Sequence, residues 1–204
     1  MAVDQASRVG LFGGSFDPPH EAHRALALCA LEELGLDRVV WLPAGQPWQK
    51  AGRQLAPAAH RRAMVELLIE GEPRFEIDDS ELRRAGASYT VDTLRERAVS
   101  HPGEQLFLII GQDQYARLHT WRDWPEILNR ATLAVAARSG DAILASPELQ
   151  ATAHKMLPLA LPALQHSSTE VRARAARHED LRPIVGNAVA GYIARHRLYE
   201  KSEY

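Results

Sequence analysis

The 204-residue chain contains a single cysteine, Cys29. One thiol excludes an internal disulfide framework and any zinc site built on cysteines. It lies in the apolar stretch 26–31, where a buried, inert thiol is expected. Long hydrophobic runs are missing too. No segment approaches the ~20 apolar residues that span a bilayer, and residues 1–7 hold no apolar core of signal-peptide length. A cytoplasmic location without a membrane partner is the expectation. Neither sign of charge is in excess: 24 Lys and Arg against 26 Asp and Glu leave a formal net charge of −2. That balance gives no reason to expect nucleic acid as a partner. Internal repeats, low-complexity tracts and linkers are also lacking. What remains is an ordinary soluble composition, 46% hydrophobic and 25% charged. The length suits one domain with a substantial core. That domain is expected over residues 8–199, with 1–7 and 200–204 as terminal extensions. A homo-oligomer is left open.

Apolar runs alternate with amphipathic helical patterns. The pattern predicts strands at 8–12, 38–42, 74–77, 105–110 and 132–137, and a weaker one at 155–160. Helices are predicted at 20–34, 58–70, 90–100, 124–130, 169–176 and 183–196. Such alternation implies an α/β fold, a doubly wound parallel sheet with a small helical part at the C-terminal end. The run Leu106-Phe107-Leu108-Ile109-Ile110 is uniformly apolar, as a central parallel strand requires. In such sheets ligands bind beyond the carboxyl ends of strands, where strand order reverses. Four segments follow predicted strands: 13–23, 43–50, 111–121 and 165–172. Their common placement is expected to bring them to one site. Residues 138–164, rich in Ala, Leu and Pro, are expected to be peripheral.

The segment Gly13-Gly14-Ser15-Phe16-Asp17-Pro18-Pro19-His20-Glu21-Ala22-His23 joins a strand, a glycine turn and a helix start. Glycines let the backbone approach an anion with its N–H groups outward. Prolines suit a turn and the first helical position, where no N–H is required. The helix N-terminus favours phosphate through partial positive charge and unpaired N–H groups. His20 and His23, three apart, share one helix face and can reach one ligand. Each piece alone has a structural explanation, but the whole string in this place points to a phosphate site. A transition metal on the two imidazoles is disfavoured, since no carboxylate or Cys completes a recognisable ligand set.

Gln165-His166-Ser167-Ser168-Thr169-Glu170-Val171-Arg172 reads as a second helix start, capped by Ser or Thr, with Glu170 in its first turn. Arg172, one turn in, would add a guanidinium to the helix N–H groups as a second anion site. Gly111-Gln112-Asp113 ends the central strand with an acid suited to ribose hydroxyls, or equally to capping a helix. Trp121 and Trp124 fall in a segment read as loop. Either is a core residue, or a Trp beside a pocket stacks on a flat ring. Thr90 works as a plain N-cap whose neighbouring N–H groups also suit an anion. Lys50 is a solvated side chain or a phosphate-binding point charge.

GGSFDPPHEAH resembles the GG(T/S)FDPxHxGH signature of the nucleotidyltransferase superfamily, and in particular of nicotinate mononucleotide adenylyltransferases. Ala22 stands where that family usually has glycine. Related phosphopantetheine adenylyltransferases typically carry Thr at the position of His20. SSTEVR is similar to the family's SSTxIR, with His166 replacing the usual aliphatic residue before it. IIGQD, SYTVDTL, TW and the closing YIARHRLY match further motifs, the last read as packing. The match weakens at 43–50, where Trp48 and Gln49 depart while Lys50 keeps the cation, and is poor at 51–72 and 138–164.

The resemblance implies a Rossmann-like fold and transfer of adenylyl from ATP to nicotinate mononucleotide, giving deamido-NAD and pyrophosphate by direct in-line attack, with Mg²⁺ accompanying ATP. It implies His20, His23 and Arg172 as catalytic. It implies ATP binding by Gly13, Gly14, Ser15, Phe16, His20, His23, Lys50, Gly111, Asp113, Ser167, Ser168, Thr169 and Arg172. Ser15, Phe16, Lys50, Thr90 and Trp121 are the implied mononucleotide contacts. No carboxylate cage for the metal is expected. The alternatives are nicotinamide mononucleotide or another phosphorylated acceptor, and a non-catalytic nucleotide-binding module on the same fold.

Overall fold

The computed structural model describes residues 6–46, 55–138, 141–161 and 166–200. Each apolar run becomes a strand: β1 (Arg8–Gly14), β2 (Arg38–Pro43), β3 (Phe75–Ile77), β4 (Gln105–Gly111), β5 (Thr132–Arg138) and β6 (Met156–Leu161). They form one parallel six-stranded sheet in the order β3-β2-β1-β4-β5-β6. Leu11 of β1 lies opposite Leu108 of β4, and Ile110 of β4 opposite Val135 of β5. Strand order reverses between β1 and β4, where sheets of this order bind ligands. The five apolar residues of β4 are all buried, as expected of a strand covered on both faces.

The helices are α1 (Glu21–Glu33), α2 (Ala58–Ile69), α3 (Ser80–Arg83), α4 (Thr90–Ser100), α5 (Gln112–Ala116), α6 (Trp124–Arg130), α7 (Pro147–Gln150), α8 (Ser168–Ala176) and α9 (Arg182–His196). The six predicted from periodicity fall within one residue of these bounds. Helices α3, α5 and α7 are too short to give a periodic signal. Helix α5 and a 3₁₀ turn over Leu118–Thr120 occupy ground read as loop. Helix α7 nonetheless carries a cap, the Ser146 hydroxyl accepting from the Leu149 N–H. Helix α9 is broken at Gly186, whose φ of 75° is non-helical. The α2 stripe of Met64, Val65, Leu68 and Ile69 is buried, and Arg61 is buried on the same face.

Packing divides the chain into two compact units, residues 1–13, 27–40 and 89–163, and residues 14–26, 41–88 and 164–204. The first is built on Val9, Leu11, Leu133, Ala134, Val135 and the apolar run of β4. The second is built on Phe16, Trp41, Met64, Val65, Ile184, Val189 and Ile193. Cys29 is half-buried, not buried as expected. Burial and the neighbouring Glu33 still push its thiol up to about 11, so at neutral pH it stays protonated and unreactive. Among the described residues no helix is long and apolar enough to cross a membrane.

Candidate active site

In the second unit, Gly14 opens a turn, Ser15-Phe16-Asp17-Pro18-Pro19, that ends on His20 and α1. Phe16 stands at φ 46°, the left-handed region that costs a side-chain-bearing residue about 1–2 kcal/mol. Its ring is buried and folded back beneath the turn. A Cβ on Gly14 would lie 3.0 Å from the ring carbons, so glycine leaves the room the ring needs. The ring packs on Trp41 at 5.3 Å and edge-on against His23 at 5.2 Å. The Phe16 side chain therefore supports His23 from below, and the backbone is what this residue can offer a ligand.

The turn is anchored by charges buried behind it. Asp17 is 0% exposed. Its Oδ1 accepts from the Tyr199 hydroxyl at 2.8 Å and from the Ala56 N–H at 3.2 Å, and Arg172 Nη1 lies 4.0 Å from Oδ2. Arg61 donates from Nε to the Ala56 carbonyl (2.9 Å), from Nη1 to that of Ser15 (2.7 Å) and from Nη2 to that of Gly45 (3.3 Å). Burial lowers the Arg61 pKa, while Asp17 and Tyr199 act to raise it. Charges this deep persist only when paired and hydrogen-bonded.

His20 begins α1. Its carbonyl accepts from the His23 N–H at 2.9 Å, and its own N–H donates to His23 Nδ1 at 3.2 Å. The second contact is one half of a capping box, with an imidazole in place of the usual Glu. A neutral His23 accepting at Nδ1 carries its proton on Nε2, the far side of the ring. The two imidazoles lie 3.7 Å apart, tilted by 32°. Burial, and then the nearby His166, lower the His20 pKa to about 4, so the ring is neutral at physiological pH. His20 Nδ1 is buried without a hydrogen-bond partner among the described residues. His166, which replaces the aliphatic residue usual before SSTxIR, thus acts electrostatically on His20.

Helix α8 is bolted to the same turn. Ser167 caps it by accepting from the Glu170 N–H at 3.1 Å. The Ser168 hydroxyl donates to the Pro18 carbonyl at 2.9 Å, and Arg172 Nη1 to the Asp17 carbonyl at 2.6 Å. Arg172 Nη2 is taken by Thr169 Oγ1 at 3.0 Å. The guanidinium expected to face a ligand is instead turned inward as a brace. What α8 can offer an anion is its dipole and its first backbone N–H groups, which have no acceptor within the helix. Two helix N-termini, those of α1 and α8, therefore serve one turn. The strand following α1 leads to a loop held by Ser88, whose Oγ accepts from the Gly45 N–H at 3.2 Å and whose N–H donates to the Gln46 carbonyl at 3.0 Å. A Cβ on Gly45 would stand 2.2 Å from the Glu81 carbonyl oxygen, so only glycine fits. Lys50, with Trp48 and Gln49, lies outside the described residues.

In the first unit Gly13 and Gly111, at the ends of β1 and β4, face open space, with nothing within 4 Å of an added Cβ. Asp113 is exposed in the first turn of α5. Gly111 is the N-cap there, so the capping alternative for Asp113 does not hold. Thr90 does not cap α4 either: Tyr89 occupies the N-cap position, and its side chain makes no cap hydrogen bond. Trp121 is half-buried, and its Nε1 is buried without a hydrogen-bond partner among the described residues. Arg122 and Arg95 tie this segment to the start of α4. The Arg122 guanidinium lies 4.8 Å above the Tyr89 ring. Arg95 donates to Asp92 at 3.0 Å and to Asp123 at 3.1 Å, and also to Glu126. Such part-exposed pairs add little stability individually, but together they fix where Trp121 sits relative to Thr90.

Sequence reasoning missed Arg61, Asp17, Tyr199 and Ser88. Arg61 had a signal, since its spacing from Met64, Val65 and Leu68 places a cation on an apolar stripe.

Residues 11–174 match the family model described as cytidylyltransferase-like. A protein of Methylibium petroleiphilum named probable nicotinate-nucleotide adenylyltransferase is 46% identical over 98% of this chain and 95% of its own length. One of the same name from Albidiferax ferrireducens is 46% identical over 95% and 98%. The nicotinic acid mononucleotide adenylyltransferase of Plasmodium falciparum, solved complexed with NaAD, superposes with a TM-score of 0.77 at 18% identity. That match covers 95% of this chain and 98% of that one. At so low an identity the likeness is one of fold.

Proposed function

The chain belongs to the cytidylyltransferase-like family, and on that premise we propose that it transfers the adenylyl group of ATP to nicotinate mononucleotide, giving deamido-NAD and pyrophosphate. The observation that carries this reading is the meeting of two helix N-termini at the Ser15–Pro19 turn, beside a stacked histidine pair. Converging N–H groups and dipoles of this kind suit a polyphosphate. The names of relatives at 46% identity over nearly the whole chain support the same chemistry.

In the reaction an oxygen of the mononucleotide phosphate attacks the α-phosphorus of ATP. The new P–O bond forms as the bond to the β-phosphate oxygen breaks, and pyrophosphate leaves with the electron pair. The attacking phosphate is already ionised at neutral pH, so no general base is required. Catalysis is positioning and charge stabilisation. His23 donates from Nε2 to oxygen that gains charge, with His20 stacked beside it as a neutral second imidazole. The backbone of Gly13, Gly14, Ser15 and Phe16 and the N-terminus of α8 at Ser167–Thr169 receive phosphate oxygens. Arg172 contributes its charge and holds the turn, and Lys50 adds a cation to the triphosphate. Asp113, beyond Gly111, takes the adenosine ribose hydroxyls. The uncapped start of α4 at Thr90 receives the nicotinate carboxylate, and Trp121 stacks on the pyridine ring. Among the described residues no cluster of three or more His, Cys, Asp or Glu is placed to hold a metal. A magnesium ion arriving with ATP would be held by the triphosphate and water, not by a set of side chains, and would supply charge neutralisation for the triphosphate.

Pyrophosphate release from ATP and Mg²⁺, measured with the acid and the amide mononucleotide in turn, tests this reading. The acid is expected to give a kcat/KM at least about a hundredfold higher, because a site built to hydrogen-bond one group rejects its analogue strongly. Equal values would overturn the acceptor assignment. ATP binding with no pyrophosphate from any mononucleotide would make the protein a nucleotide-binding module instead.

A further inference from the structure

We propose that Arg61 is a positioning residue for the adenylyl transfer, holding the Phe16 N–H in place as a phosphate donor. The proposal rests on the function argued above. Arg61 is 2% exposed and touches no reacting atom. Three of its N–H donors, one on each guanidinium nitrogen, go to three main-chain carbonyls drawn from separate stretches of the second unit, Ser15, Gly45 and Ala56. A peptide group is planar and trans, so the N–H of a residue points opposite to the carbonyl before it. Drawing the Ser15 carbonyl inward to Arg61 therefore turns the Phe16 N–H outward, to the side away from the buried guanidinium. The Gly45 contact does the same for the Gln46 N–H.

The left-handed φ of Phe16 supports this. Left-handed backbone at an aromatic residue persists only where its surroundings over-determine it, and such strain clusters at functional sites. Here both flanking carbonyls are gripped, Ser15 by Arg61 and Asp17 by Arg172. The ring between them is pinned on Trp41. The counter-charge is supplied from behind by Asp17, which Tyr199 holds from the C-terminal end of the chain. A packing role alone would be filled by Leu or Met at this place on α2. A fork of donors reaching three carbonyls requires the planar guanidinium.

The test compares wild type with Arg61→Lys and Arg61→Met. Lysine keeps the charge but cannot reach three carbonyls at once. In folded Arg61→Lys, kcat for pyrophosphate release is expected to fall about 10- to 100-fold, the scale of a small misplacement of a reacting group, with the KM for the mononucleotide within about threefold. Unchanged kcat in either folded variant overturns the proposal. A second readout uses the wild type alone, where the Phe16 amide resonance is expected to shift on saturation with α,β-methylene ATP and Mg²⁺. A Phe16 amide unmoved by the bound analogue overturns it even if neither variant folds. Failure of the functional reading is distinguishable, because the wild type would then release no pyrophosphate at all.

Discussion

Replacing His23 by alanine is expected to lower kcat by about 10²–10³, the scale of losing one preorganised donor to developing charge. The same change removes the acceptor for the His20 N–H, costing about 1 kcal/mol of stability as the loss of a helix cap does. The two effects separate in a second variant. His23→Glu restores the capping-box acceptor that α1 needs but offers no N–H donor to an oxyanion. Its urea midpoint is expected near wild type while its kcat stays as low as that of His23→Ala. Steady-state pyrophosphate release and urea unfolding of both variants decide the matter. Near-wild-type turnover in His23→Glu would reduce His23 to a helix cap.

His20 makes the second large effect, on stability against pH. In the unfolded chain its imidazole titrates near 6.5, and in the fold, buried and beside His166, near 4. Between these values the unfolded state takes up a proton that the folded state refuses, so stability falls as pH falls through that window. The full shift amounts to about 3 kcal/mol between pH 7 and pH 4. Carboxylates titrate over part of the same range, so the informative quantity is a difference between proteins. Wild type is expected to lose about 3 kcal/mol more than His20→Gln when the pH drops from 7 to 4, read from urea unfolding at each pH. Equal losses would mean that His20 is not held neutral by its surroundings.

The frame of the protein was readable from residue order because it depends on local periodicity. Alternating apolar runs and helical stripes placed six strands and six helices, and the uniformly apolar run of β4 marked a strand covered on both faces. The histidine pair and the Ser167 cap were legible for the same reason, each being set by a spacing of three within one helix start. What stayed hidden depends on contacts between distant stretches. Tyr199 reaches Asp17 from the other end of the chain, and Arg172 turns toward Asp17 because the turn before α1 lies beside it. No local pattern encodes either. Thr90 illustrates the converse error: its residue type suits a cap, yet the helix begins one position early, with Tyr89 at the N-cap and no cap hydrogen bond from that side chain. Arg61 was the one hidden residue with a local trace, a cation on the apolar stripe of α2.

The idea on which the rest depends is that the triphosphate is held at the turn between β1 and α1, against the two imidazoles. Nitrogen-15 resonances of the histidine side chains, followed while α,β-methylene ATP and Mg²⁺ are titrated in, report on this directly. The His23 Nε2–H signal should move saturably, with one equivalent of nucleotide, and that of His20 with it. If calorimetry shows the nucleotide bound while both imidazoles stay where they were, the phosphates lie elsewhere and this assignment of the site is wrong.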